Sequence, residues 1–167
     1  MIQVYTGNGK GKTTAALGLA LRAAGAGLKV YILQFLKKGC YAEIKALKGI
    51  KNIRLEQCGR GCFLKGKPTA GDFLLAKRGL EKARAAILSK LYAMVILDEI
   101  NVALELGLLE LQEVLALLKN APRDIEIVLT GRYLDPAIKK LADLVSEIRE
   151  VKHYFKKGIN GRKGFDC

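Results

Sequence analysis

The sequence has little of what would tie it to a membrane, a disulfide scaffold or a nucleic acid. No apolar run among its 167 residues approaches the ~20 that a membrane span requires. It opens directly in "MIQVYTG", so no leader is expected ahead of the first strand. Only four cysteines occur, Cys40, Cys58, Cys62 and Cys167, and their uneven spacing in so apolar a chain makes no disulfide framework. Free thiols in a reducing cytoplasm are the expectation. Cys58 and Cys62 stand close together, but two thiols without a nearby histidine or a second pair fall short of a metal site. Aromatic residues are 7% and scattered, whereas a nucleic-acid surface would interleave them with basic ones. Acidic residues are also scarce, 16 against 29 basic, which leaves a formal net charge of +13. Such an excess attracts polyanions. A lysine-rich solvated surface accounts for most of it, and the thin aromatic content argues against a nucleic-acid partner. Internal repeats, low-complexity segments and linkers are missing as well.

What is present is a 50% hydrophobic chain, enough for one compact domain over residues 1–167 with a full core. Short apolar runs predict strands at Ile2–Thr6, Lys29–Phe35, Asn52–Gln57, Met94–Asp98, Glu126–Thr130 and Leu144–Val151. Between them, helical patterns cover Thr13–Ala26, Ala42–Lys48, Asp72–Leu91, Glu110–Asn120 and Pro136–Asp143. Ala76, Leu80, Ala83, Ile87 and Leu91 recur at helical spacing, as do Leu111, Val114, Leu115 and Leu118, and both stripes read as core. Strands alternating with helices predict an α/β fold, a mostly parallel sheet with helices on both faces. Ligands in such sheets sit at the carboxyl ends of the strands. Two long irregular pieces remain, the loop Cys58–Gly71 and the tail Tyr154–Cys167.

The stretch "VYTGNGKGKTTAALGLALRAAG", Val4–Gly25, runs from strand through a glycine-rich loop into a helix. Glycines let backbone N–H groups turn inward around a phosphate, and the helix N-terminus adds partial positive charge. Lys12 and Thr13 close the motif where a phosphate-loop lysine and threonine belong. Lys12, in what should be a solvent-facing loop, would reach the outer phosphates, and the Thr13 hydroxyl would ligate Mg²⁺. The usual motif has a glycine six positions before the lysine; here that residue is Thr6, and Gly7 follows one later. A metal-nucleotide site of this kind also needs an acid at the end of a neighbouring strand. "AMVILDE", Ala93–Glu99, supplies Asp98 and Glu99, which can also cap the following helix. These residues specify Mg-nucleotide binding in a P-loop NTPase core of RecA-like type, and leave the reaction open.

"GNGKGKTTAALGLALRAAG", "VILDEINVAL", "VLTGRYLDP", "ADLVSEI" and "VKHYFKKGINGRKGF" occur in that order from Gly7 to Phe165. In this the chain resembles the P-loop corrinoid adenosyltransferases, whose variant loop shares the offset glycine. The resemblance implies transfer of the 5′-deoxyadenosyl group of ATP to Co(I) of a corrinoid (cobalamin, cobinamide or cobyrinic acid a,c-diamide), with triphosphate leaving. It implies ATP and corrinoid as substrates, Mg²⁺ as the metal, a flavoprotein reductant, a homodimer and a cytoplasmic location. By the same resemblance Gly7, Asn8, Gly9, Lys10, Gly11, Lys12, Thr13 and Thr14 bind the triphosphate. Lys12, Thr13 and Glu99 are the catalytic set, and Thr13, Glu99 and Asp98 the metal set. Arg132 contacts phosphate or ribose. Phe63, His153 and Arg162 face the corrinoid, beside a tail folded near the active site. Members of the family often carry a tryptophan two residues after the Phe63 position. This chain has Lys65 there and no tryptophan.

Two other activities share some of these residues. A RecA-like ATPase or kinase would use Lys12, Thr13, Asp98 and Glu99, with Glu99 activating water or a hydroxyl. A non-catalytic nucleotide- or RNA-binding module would use the charge alone, and its affinity would fall steeply with salt.

Overall fold

The computed structural model describes residues 1–39, 42–61, 66–159, 161–162 and 164–165. The six expected strands are all present: β1 (Ile2–Thr6), β2 (Val30–Phe35), β3 (Ile53–Cys58), β4 (Met94–Asp98), β5 (Glu126–Thr130) and β6 (Leu144–Glu147). They pair in parallel in the order β3-β2-β4-β5-β1-β6.

The twofold period of a strand sorts side chains onto two cores. From β2, Val30 and Ile32 join Met94, Ile96 and Val128 beneath Ala16, Leu17, Ala20, Ala23 and Ala24 of α1 (Lys12–Gly25). α2 (Ala42–Lys48) adds Leu47 to that face. On the opposite face Tyr31, Leu33, Phe35, Val95, Leu97, Ile127 and Leu129 meet α3 (Ala70–Leu88), α4 (Ile100–Glu105), α5 (Leu111–Lys119) and α6 (Pro136–Leu141). The small alanines of α1 let that helix lie close to the sheet. Because the central strands are covered on both sides, β4 reads as an apolar run up to Asp98, and β2 as one interrupted only by Gln34. Among the described residues, no helix is long and apolar enough to cross a membrane.

Some boundaries differ from the expected ones, each for a local reason. α1 stops at Gly25 because Gly27 turns left-handed at φ +81°, and the amides of Gly27 and Leu28 bond back to Ala24 and Ala23. α3 ends at Leu88, since Lys90 adopts φ +56° without any glycine to announce it. β6 stops at Glu147 rather than Val151: its partner β1 ends at Thr6 and turns into the glycine loop, so the ladder has nothing left to pair with. α4, six residues long, is too short to show a period.

α3 begins at Ala70, two residues ahead of expectation, because Asp72 acts from inside the first turn. Its carboxylate accepts from the Thr69 amide at 2.9 Å, the Thr69 hydroxyl at 2.7 Å, and two Arg60 nitrogens at 2.8 and 2.6 Å. The Arg60 bonds, then those from Thr69, hold the Asp72 carboxyl well below the usual carboxylate range. Asp72→Asn is therefore expected to lower the urea midpoint at pH 7. The gap to wild type should begin to close as pH drops below about 4, the ordinary Asp value in unfolded chains, and vanish below the depressed native value. A gap that is constant between pH 7 and pH 3 would assign the loss to capping geometry instead of charge.

Candidate functional site

The glycine loop leaves β1 and is pressed against the chain that follows β6. Gly7 and Gly11 take φ +99° and +115°, conformations open to glycine. A Cβ on Gly7 would collide with the Ile148 carbonyl, and one on Gly9 would lie 2.8 Å from the same oxygen. The Gly9 amide donates to Ile148 O at 2.7 Å, and the Ile148 amide to Thr6 O at 2.8 Å. The loop's glycines thus answer two needs, a left-handed turn and a close approach to β6.

Lys12 is the first residue of α1 and is only 8% exposed, so the expectation of a solvent-facing lysine is corrected. Its Nζ donates to Gly9 O at 2.8 Å and closes the loop from inside. Burial pushes the Lys12 pKa down; Arg132 and Lys37 push the same way, against Glu99 and Asp98. A desolvated cation bonded to a backbone carbonyl is suited to receive an anion.

The acid-bearing strand β4 is not the neighbour of β1, as the sequence reading expected; β5 lies between them. Thr130, at the end of β5, spans the gap. Its hydroxyl donates to Asp98 Oδ1 at 2.6 Å and accepts from the Glu99 amide at 3.0 Å. Asp98 is 1% exposed and also accepts from Thr13 Oγ1 at 2.9 Å, Gln34 Nε2 at 3.0 Å and Lys37 Nζ at 2.8 Å. Glu99 sits at φ +62° ahead of α4, which turns its carboxylate toward the same cluster, with Oε1 3.9 Å from Lys37 Nζ. Burial, then the charge of Asp98, raises the Glu99 pKa. Burial opposes the Lys37 ammonium, but the charge of Asp98, the hydrogen bond to it and Glu99 outweigh that and raise its pKa.

The Thr13 hydroxyl and the carboxylates of Asp98 and Glu99 are hard oxygen donors converging on one ammonium, Lys37 Nζ, and a divalent cation suits such a set. Among the described residues no group of three or more His, Cys, Asp or Glu side chains could hold a metal by itself. A cation here would complete its shell from phosphate and water, which is how Mg²⁺ is ordinarily held.

Arg132 follows Gly131 on the loop after β5, exposed, with its charge acting on both Lys12 and Glu99. That loop is anchored by α4: the buried Asn101 donates to Gly131 O at 3.4 Å, and a Cβ on Gly131 would meet Asn101 Cβ at 2.9 Å. Asn8 and Thr14 are exposed on the loop and the first turn of α1.

The tail returns to the loop's outer side. Lys10 Nζ donates to the Tyr154 hydroxyl at 2.8 Å and to Phe165 O at 2.5 Å. The Arg162 guanidinium lies 4.7 Å from the Tyr154 ring centroid and 5.1 Å from that of Phe165. His153 starts a short 3-10 turn, Tyr154–Lys157, its Nδ1 accepting from the Phe155 amide at 3.1 Å. Between loop and tail opens a cleft of about 320 Å³ lined by Lys10, Arg149, Glu150, Lys152, His153 and Tyr154. Lys10 and Arg162 are therefore brought together, His153 lies one residue from Tyr154, and Phe63 lies outside the described residues. Burial pushes the Cys58 thiol up to about 11, so it is an inert packing residue.

Lys37, Gln34 and Thr130 were not singled out from the sequence. The available signal was polarity at strand ends: "LQFLK" breaks an apolar strand with a glutamine and follows it with a lysine, and "VLT" ends β5 on a hydroxyl.

Comparison with known proteins adds a family. The family described as "ATP:corrinoid adenosyltransferase BtuR/CobO/CobP" has a model that matches residues 1–167. The chain is 34% identical over 168 residues to a corrinoid adenosyltransferase of Pseudomonas aeruginosa, covering 99% of this chain and 83% of that one. It is likewise 34% identical over 166 residues to a corrinoid adenosyltransferase of Escherichia coli K12, covering 99% and 85%. An uncharacterized protein of Nostoc sp. PCC 7120 is 38% identical over 179 residues; there the chain spans about half of the relative's length, 47%.

Proposed function

The chain belongs to the ATP:corrinoid adenosyltransferase family, and on that premise we propose that it moves the 5′-deoxyadenosyl group of ATP to Co(I) of a corrinoid and releases triphosphate. A cobalt–carbon bond forms at the ribose C5′ as the C5′–O bond breaks. Cobalt supplies the electron pair, becoming formally Co(III), and the triphosphate carries off the pair of the broken bond. Charge therefore grows on the leaving oxygen.

Lys12 and loop amides other than that of Gly9, which is bonded to Ile148 O, would face that charge, and Arg132 would reach it from the loop after β5. Mg²⁺, when bound, supplies a Lewis acid on the triphosphate. Thr13 and Glu99 would hold it directly, with Asp98, committed to four donors, orienting Thr13. No residue has to remove a proton, which accords with a sequence holding a single histidine. The rest of the acceleration comes from holding C5′ in line between cobalt and its leaving oxygen.

The tail with His153 and Arg162, and the loop carrying Phe63, would wall the corrinoid on the ribose side. The acceptor is cobalamin, cobinamide or cobyrinic acid a,c-diamide. A flavoprotein would deliver the electron, and a homodimer would be the working form, which light scattering reads.

The observation that carries this reading is the family match over the whole chain, because a phosphate loop cradles triphosphate whichever bond breaks. Protein, Mg-ATP and chemically reduced corrinoid, incubated without oxygen and resolved by anion exchange, should yield triphosphate one-for-one with adenosylated corrinoid. ADP in its place would return the site to the ATPase or kinase reading.

A further inference from the structure

Lys37 is the charged component of the cluster to which the mechanism above gives no step. Its side chain is 13% exposed, and its Nζ lies 2.8 Å from Asp98 Oδ2, 3.3 Å from Thr13 Oγ1 and 3.9 Å from Glu99 Oε1. The Thr13 and Glu99 oxygens are the ones assigned to the divalent ion, and Asp98 is the carboxylate that orients Thr13 toward it. We propose that Lys37 is a tethered cation that occupies the metal-binding oxygens of the nucleotide-free protein, so that a divalent ion enters only together with ATP. The inference rests on the reading of Thr13, Asp98 and Glu99 as the metal set.

The argument is one of exclusion. A hexacoordinate Mg²⁺ sits about 2.0–2.1 Å from each ligand. An ammonium bonded to Thr13 Oγ1 and facing Glu99 takes the same lone pairs, and two cations so close repel strongly in a half-buried site. Ammonium and metal therefore alternate. The backbone beneath Lys37 is fixed: Leu36 turns at φ +60°, its amide donates to Cys58 O at 2.9 Å, and the Lys38 amide donates to Gly61 O at 2.8 Å. Gly59 lies so close to the Leu36–Lys37 peptide that a Cβ there would collide with it. Only the four-carbon side chain is left to move, and its length allows the ammonium to swing from the carboxylates to an arriving phosphate. Lys12 cannot take this part, because its ammonium faces Gly9 O within the loop.

Without nucleotide, the carboxylates keep their tethered partner and reject free Mg²⁺. With Mg-ATP, the phosphates offer the displaced ammonium a new anion, so exchange costs little. ATP without metal should also be accepted, Lys37 standing in for part of the missing charge.

Mn²⁺ is the probe, its free concentration read by electron paramagnetic resonance, with circular dichroism confirming the fold of each variant. Wild type should bind Mn²⁺ weakly alone and tightly with ATP. Lys37→Met should bind Mn²⁺ without nucleotide about tenfold or more tightly than wild type, within the usual range of coupling between ligands. Lys37→Arg, which keeps the charge, should resemble wild type. Calorimetry in EDTA should show metal-free ATP binding weakened several-fold in Lys37→Met. Should Lys37→Met prove unstable, Lys37→Gln carries the same expectation, and wild type is itself decisive: nucleotide-free Mn²⁺ binding as tight as binding with ATP overturns the proposal. So does an unchanged Mn²⁺ affinity in the folded variant. Glu99→Gln separates the two layers. If it leaves Mn²⁺-ATP affinity unaltered, the metal assignment itself is wrong; if it weakens that affinity while Lys37→Met gains nothing, only the role of Lys37 falls.

Discussion

Lys12→Ala is expected to lower kcat/KM for Mg-ATP with Co(I) corrinoid by about 10²–10³-fold, the usual effect of removing one preorganised contact to developing charge. The loss should fall mainly on kcat, since charge on the leaving oxygen grows after ATP is bound. Two structural consequences accompany it and oppose each other. Gly9 O loses the donor that closes the loop, which costs about 1 kcal/mol if the carbonyl finds no water. A cation whose burial is itself a cost, and which burial pushes toward its neutral form, is also removed. The melting temperature should therefore move little while activity collapses. A folded variant that keeps more than about a tenth of wild-type kcat/KM would be inconsistent with a transition-state contact.

Asp98→Ala should be the most destabilising single change in the site, by about 3–5 kcal/mol in urea, because it leaves a nearly buried Lys37 ammonium without its counter-charge. It also strips acceptors from Thr13, Gln34 and Thr130 in one step. The adjacent carboxylate should behave in the opposite way. Glu99 has a native pKa raised above its unfolded value, so the folded protein holds that proton more tightly and stability falls as pH rises through the interval. At neutral pH its ionised form is a cost, and Glu99→Gln should raise the urea midpoint while weakening the response to metal. One acid of the pair thus holds the fold, and the ionised form of its neighbour opposes it. Equal urea midpoints for Asp98→Ala and wild type would remove the buried ion pair from this account.

Much of what depended on residues near one another in sequence was legible beforehand. The apolar run of β4 ends on Asp98-Glu99, and the glycine loop between β1 and α1 is a local feature of Gly7–Lys12. Five helical patterns between six strands were enough to call for a parallel sheet, because a parallel pair needs a crossover and these crossovers are helical. The family resemblance was legible for the same reason, as ordered motifs along the chain.

Strand order was not legible, and the site depends on it. Gln34 and Asp98 face each other only because β2 pairs with β4 in that register. Lys37 meets Asp98 across 61 residues of sequence. The placement of β5 between β1 and β4 turned Thr130 from a strand-end residue into the bridge that orients Asp98. The tight fit of Gly7 and Gly9 likewise waits on Ile148, which follows the last strand of the sheet. A sequence read along its length carries backbone preference and hydrophobic period, both set by a few adjacent residues. Which charges share a buried space is set by pairings between distant strands, where short range and low polarity make each charge strongly felt by the others.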